Sequence, residues 1–140
     1  MTGHIEMMRL ADAIAKNSKC PERKVGAVLL TGTGGQVATP NDKKTNESNH
    51  HHAEAKLVMM ISPLSHFDGA TLYVTCRPCV RCTEMLLPLG LKAIYYRDDQ
   101  PEMGHLQRLR DAGVYVNGGW ITGRVAESWA ERNGQGGVVA

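Results

Sequence analysis

Two short stretches carry side chains able to do chemistry together: His52-Ala53-Glu54 and Pro78-Cys79-Val80-Arg81-Cys82. One imidazole and two thiolates neutralise a divalent zinc ion, and three protein ligands leave the fourth corner of its tetrahedron to water. Two cysteines three positions apart at a helix start converge on one ion. The dipole and unpaired N–H groups of a helix N-terminus favour thiolate over thiol. Zinc is therefore the expected cofactor, with His52, Cys79 and Cys82 as ligands. Glu54 lies two residues past His52 and points away from it on a first helical turn, so its carboxylate stands beside the metal-bound water rather than on the ion. Zinc lowers the pKa of such a water from about 15.7 to about 7. A carboxylate within hydrogen-bond reach then carries the released proton elsewhere, which makes Glu54 the candidate catalytic residue.

Each motif alone is weak. A CxxC pair also serves redox and structural zinc sites, and Cys76-x-x-Cys79-x-x-Cys82 offers two overlapping pairs. A closed structural site would draw a fourth ligand from His50, His51 or Cys76. The conjunction favours the open site: both motifs stand at expected helix starts, and a strand leads into the second. His50 and His51 then read as exposed loop residues, Cys76 as a buried apolar thiol and Cys20 as structural.

The elements that must position these residues follow from periodicity and punctuation. Ile5, Met8, Ala11 and Ala15 recur at helical spacing, predicting a helix over 5–16. Val25 to Leu30 is an apolar run short enough for a buried strand, and Gly32, Gly34 and Gly35 turn it into a second strand over 36–39. The polar stretch 40–51 reads as loop. A helix is expected over 53–61, with Leu57 and Met60 facing inward and Pro63 ending it. Thr71 to Thr75 reads as a strand. A helix starting at Pro78 and running to Leu89 follows, stopped by Gly90. A strand over 91–96, a helix over 103–111, a short strand over 113–116 and a closing helix over 122–132 complete the pattern, with a frayed tail at 135–140. This order predicts one domain, residues 1–134, built as a three-layer α/β/α sandwich around a mixed sheet of about five strands.

Composition agrees. The 140 residues are 42% hydrophobic, enough for a core, and no apolar run reaches membrane-span length. Met1 to Arg9 includes His4, Glu6 and Arg9 and lacks the apolar centre of a secretion signal, so reduced thiols and a cytoplasmic location are expected. A net charge of +2 is too small to imply a nucleic-acid partner.

The paired motifs fit the H-x-E…P-C-x-x-C pattern of zinc nucleobase deaminases. With Lys24-Val25-Gly26-Ala27-Val28, Gly69-Ala70-Thr71-Leu72-Tyr73-Val74-Thr75 and Ala112-Gly113-Val114, the chain resembles the cytidine/deoxycytidylate deaminase family from Leu10 to Val116. The KVGAV and GATLYVT segments are closer to dCMP deaminases than to tRNA adenosine deaminases. The resemblance implies zinc on His52, Cys79 and Cys82, proton transfer by Glu54, the Ala53 N–H on the pyrimidine O2, and Asn41 on the sugar hydroxyl. It implies deamination of dCMP to dUMP with release of ammonia, and a homo-oligomer between dimer and hexamer. The chain departs from the family at two places. Thr39-Pro40-Asn41-Asp42 stands for Gly-Tyr-Asn-Gly, and Ala55-Lys56-Leu57 for Leu-Asn-Ala. Ten residues separate Asn41 from His52, where longer members carry an insertion associated with a second zinc site and nucleotide regulation.

A substrate phosphate needs cationic or N–H donors. Lys19, Arg23 and Lys24 cluster before the first core strand and Arg77 adjoins the metal motif, although each is equally accounted for as a solvated surface charge. Two other functions compete: deamination of a different base or nucleoside, such as cytidine, a modified cytosine nucleotide or guanine, and a zinc-stabilised binding module without activity.

Overall fold

The computed structural model describes residues 3–20, 23–42, 52–97 and 104–118. These form α1 (His4–Ala15), β1 (Gly26–Leu30), β2 (Gln36–Pro40), α2 (Ala53–Met60), β3 (Thr71–Val74), α3 (Val80–Leu86), β4 (Ala93–Tyr96), α4 (His105–Asp111) and β5 (Tyr115–Asn117). Short 3-10 turns at Leu64–Phe67 and Leu87–Leu89 complete the order. The sheet runs β2-β1-β3-β4-β5. β1 pairs antiparallel with β2 and β3, whereas β3, β4 and β5 are mutually parallel.

Alternation along the strands builds the expected three layers. Val28, Tyr73, Ala93 and Tyr95 face one side and pack under Met7, Met8 and Ala11 of α1. Ala27, Leu29, Leu72, Val74, Ile94 and Tyr96 face the other, against Leu57 of α2, Leu86 of α3 and Leu106 and Leu109 of α4. The sandwich with a mixed five-stranded sheet is thus the observed architecture. No helix among the described residues is long and apolar enough to cross a membrane.

Three expectations need correction. The third helix does not begin at Pro78: Cys79 is extended (φ −77°, ψ 174°) and caps a helix starting at Val80. A thiol accepting an N–H takes the place that serine or aspartate usually fills, and the proline stands outside the helix. That helix becomes a 3-10 turn at Leu87, because Pro88 has no N–H to donate to the preceding turn. Gly90 then ends it as expected, with φ +77°. Met60 does not face inward but is 53% exposed. The buried stripe of α2 is Ala53, Leu57 and Ile61 at i, i+4 and i+8, and Met60 falls beside it at the helix end. The last strand lies at Tyr115–Asn117 rather than 113–116, because Gly113 (φ +92°) completes the turn from α4. The closing helix expected over 122–132 and the tail at 135–140 lie outside the described residues.

Gly26 sets how closely α1 approaches the sheet. A Cβ there would meet the Ala11 carbonyl oxygen at 2.0 Å and the Ala15 nitrogen at 2.6 Å, both backbone atoms that cannot rotate away. Gly26→Ala is expected to destabilise the fold by about 3 kcal/mol, the upper range for overpacking a core. Urea unfolding measures this; an unchanged midpoint would mean α1 shifts freely.

Candidate metal centre and active site

β3 delivers the second motif. Its pairing with β1 extends one residue past Val74, through Thr75 N to Gly26 O (3.0 Å) and Gly26 N to Thr75 Oγ1 (3.1 Å). The chain then turns through Cys76-Arg77-Pro78 into Cys79, at the C-terminal end of a parallel strand, the usual location of ligand sites in such sheets. His52 caps α2 and Cys79 caps α3, so two helix N-termini meet.

The ligand atoms of His52, Cys79 and Cys82 lie within 4.8 Å of one another, and among the described residues they form the one such group. His52 Nδ1 is 3.5 Å from Cys79 Sγ and 3.4 Å from Cys82 Sγ. A nitrogen and a sulfur bonded tetrahedrally to one zinc stand about 3.6 Å apart, from bond lengths of about 2.05 and 2.3 Å. The donor set thus fits that ion in both chemistry and spacing. The sulfurs are also supplied with N–H donors: Cys82 N–H bonds Cys79 Sγ at 3.4 Å, and the Ala55 N–H of α2 bonds Cys82. Such donors stabilise thiolate charge.

Titration reflects the same packing. The Cys79 thiol is pulled down to about 3, chiefly by the hydrogen bond from Cys82 and then by that from His52. The reciprocal bond, with burial, pushes Cys82 up. Without metal the pair behaves as one thiolate and one thiol sharing a proton. The hydrogen bond to Cys79 raises His52, and burial opposes this. Glu54 is 4% exposed, and burial raises its carboxyl to about 7 against the opposing pull of its own N–H and of His52.

The other candidate residues divide. Ala53 is buried as the first residue of α2, where a backbone N–H has no intrahelical acceptor. Asn41 is buried at the end of β2, and its side chain is already engaged. Oδ1 accepts from Ser18 Oγ (2.6 Å) and Val25 N (2.8 Å), and Nδ2 donates to Arg23 O (2.9 Å). A primary amide has two N–H donors, so this geometry leaves room for one more acceptor. Arg23 reaches across to Cys76, with Nη1 3.0 Å from Sγ. It therefore joins half-buried Arg77 beside the metal motif. Lys19 and Lys24 are exposed on the α1–β1 connection. Cys76 is half-buried rather than buried, because it lies past the end of β3 under this guanidinium, and it stands outside the ligand group. Cys20 is buried near enough to His52 to act on its charge. His50 and His51 lie outside the described residues.

Two supporting residues have little sequence signal. His105, the first residue of α4, bonds the Pro78 carbonyl through Nε2 at 2.9 Å and so tethers the loop ahead of Cys79. Lys56 grips the end of β2 from α2. Only its spacing, four residues after His52, could have pointed to it.

Comparison with known proteins agrees with this geometry. The model of the cytidine and deoxycytidylate deaminase zinc-binding region matches residues 1–97. The ComE operon protein 2 of Bacillus subtilis is 29% identical over 126 residues, covering 78% of this chain and 67% of that protein. The tRNA-specific adenosine deaminase subunit tad2 of Schizosaccharomyces pombe is 31% identical over 100 residues. That match covers 68% of this chain, but the chain spans only about a quarter (26%) of the yeast protein. The crystal structure of dCMP deaminase from the cyanophage S-TIM5 superposes with a TM-score of 0.63 at 30% identity, covering 80% of this chain and 93% of that one. The same phage enzyme in complex with dCMP and dUMP matches equally well, at 28% identity. The family match runs through both motifs that the fold brings together, and the chain belongs to the cytidine and deoxycytidylate deaminase zinc-binding family.

Proposed function

We propose that this chain hydrolyses the exocyclic amine of a cytosine nucleotide, converting dCMP to dUMP and ammonia, with zinc held by His52, Cys79 and Cys82. The observation that carries the reading is a three-ligand cluster at zinc spacing with a buried carboxyl on the same helix turn. Zinc bound there supplies an acidified water and a Lewis acid. Glu54 would accept one proton of that water and donate it to ring N3, then accept the remaining proton of the hydroxyl added at C4 and pass it to the departing amine. Water oxygen is added at C4, the C4–N bond breaks, and protons balance. The Ala53 N–H holds the ring O2, and the remaining Asn41 N–H bonds the sugar hydroxyl. Burial raises the Glu54 carboxyl to about 7 in the metal-free chain, and a zinc ion beside it would pull it back down, leaving a carboxylate able to take the proton of the water.

Arg23, which contacts Cys76, and Arg77, next to Cys76 in the chain, are the proposed phosphate contacts, with exposed Lys19 and Lys24 as further candidates. Ammonia release from dCMP, CMP, deoxycytidine, cytidine, guanine and tRNA adenosine tests the reading. dCMP should exceed deoxycytidine in kcat/KM by about tenfold or more, the value of one charge-assisted phosphate contact. Equal efficiency on both removes the phosphate contacts, and a preference for guanine or tRNA replaces the substrate class. Zinc binding without ammonia from any substrate would identify a binding module instead.

A further inference from the structure

Lys56 has no part in the chemistry above, yet it is fixed at both of its hydrogen bonds. Its Nζ donates to the Pro40 carbonyl at 2.8 Å and to the Asp42 carboxylate at 3.0 Å. These two residues flank Asn41. Its backbone N–H donates to the His52 carbonyl at 3.0 Å. One helical turn therefore begins at a ligand of the proposed metal, carries Glu54, and ends on an ammonium that holds both neighbours of Asn41. On its other side Asn41 is tied to Ser18, Arg23 and Val25.

We propose that Lys56 is a positioning residue, whose ammonium sets the distance between the Asn41 wall of the substrate pocket and the turn carrying His52 and Glu54. The Lys56 side chain is 20% exposed and the Asp42 side chain 61%. The exposed ion pair with Asp42 contributes little by itself. The bond to the Pro40 carbonyl is the more consequential, because it joins α2 directly to the end of β2. Nothing else from Ala53 to Leu57 has the length and the donor to do this: the other side chains are two alanines, a glutamate and a leucine. Lys56 acts on where the substrate sits and not on the metal or the proton carrier, so its loss belongs in KM rather than kcat.

The inference rests on the nucleotide reading, and the test separates the two. Lys56→Met keeps the length of the side chain and removes the ammonium; Lys56→Arg keeps a cation. In the zinc-loaded protein Lys56→Met should raise KM for dCMP by about tenfold, with kcat within about twofold and zinc content unchanged. Amide hydrogen exchange at Asn41, whose N–H bonds Val25 O at 2.9 Å, should quicken in the same variant. Lys56→Arg should return KM to within about threefold of the parent. Unchanged KM in Lys56→Met, or a fall in kcat or zinc content at constant KM, overturns the assignment. A parent protein that releases no ammonia from any nucleotide overturns the nucleotide reading instead. In that case the exchange rate at Asn41 alone decides whether Lys56 holds this wall, and an unaltered rate rejects it.

Discussion

Replacing Glu54 with glutamine is expected to lower ammonia release by at least about a thousandfold while leaving the metal in place, because the amide fills the same volume but neither accepts nor delivers a proton at neutral pH. Glu54 stands outside the cluster of ligand atoms, so zinc content should match the parent. The same substitution should stabilise the metal-free protein at alkaline pH. Burial raises the folded-state carboxyl to about 7 from an ordinary 4.5. Between those values the folded chain binds more protons than the unfolded one, and stability falls as pH rises. Above pH 7 the whole penalty of the buried carboxylate is present, on the order of 3 kcal/mol; below 4.5 it is absent. Glutamine resembles the protonated acid and escapes the penalty. Urea unfolding of metal-free protein should therefore place Glu54→Gln above the parent at pH 8 and close to it at pH 4. His52 and the cysteines titrate in both proteins and largely cancel in the difference. A variant that is inactive but no more stable at pH 8 would show that Glu54 is not held in a low-dielectric site.

The candidate metal cluster was legible because metal ligation is written in residue type and short spacing. Cys79 and Cys82 are brought together by one helical turn, and His52 and Glu54 by another. Local geometry alone thus makes two half-sites, and only their meeting requires the fold. The layers were legible for a related reason, since β3 and β4 are apolar runs buried on both faces and the i, i+4 pattern of α1 marks the side it turns to the sheet. The rest depends on atoms distant in sequence. Nothing in the sequence shows that a thiol caps α3 ahead of Val80, because that needs the Cys82 N–H to find Cys79 Sγ. Met60 has the residue type of a core position, but the helix stops before tertiary packing can cover it. Asn41 illustrates the converse: the asparagine was identifiable, whereas its hydrogen bonds to Ser18, Arg23 and Val25 come from a loop that precedes it by about one hairpin. Lys56 reaches across from α2 to a strand end, and long side chains carry little positional information in sequence.

Cys82→Ala should abolish both zinc binding and ammonia release, and zinc added to the variant should restore neither. Cys82 is fully buried where α2 and α3 meet, and it receives the Ala55 N–H of the facing helix. Its loss removes a ligand and leaves that donor without its acceptor, so the metal-free variant should also unfold about 1–3 kcal/mol more readily. The parent protein stripped by a chelator differs in that returning zinc should recover its activity. Proton release provides a second measure. Ligands must be deprotonated when metal binds, and the metal-free cysteine pair retains a proton on Cys82 because Cys79 already carries the thiolate. His52, raised chiefly by its hydrogen bond to the same thiolate, keeps a further proton to higher pH than a free imidazole does. Calorimetric titration of zinc in buffers of different ionisation enthalpy should therefore show at least one proton released per ion, from Cys82, with His52 contributing more as pH falls. Apparent affinity should weaken by about tenfold for each proton and each unit of pH lost. Release of no protons would mean that both sulfurs wait as thiolates, which two neighbouring anions, one of them fully buried, would resist without a cation between them.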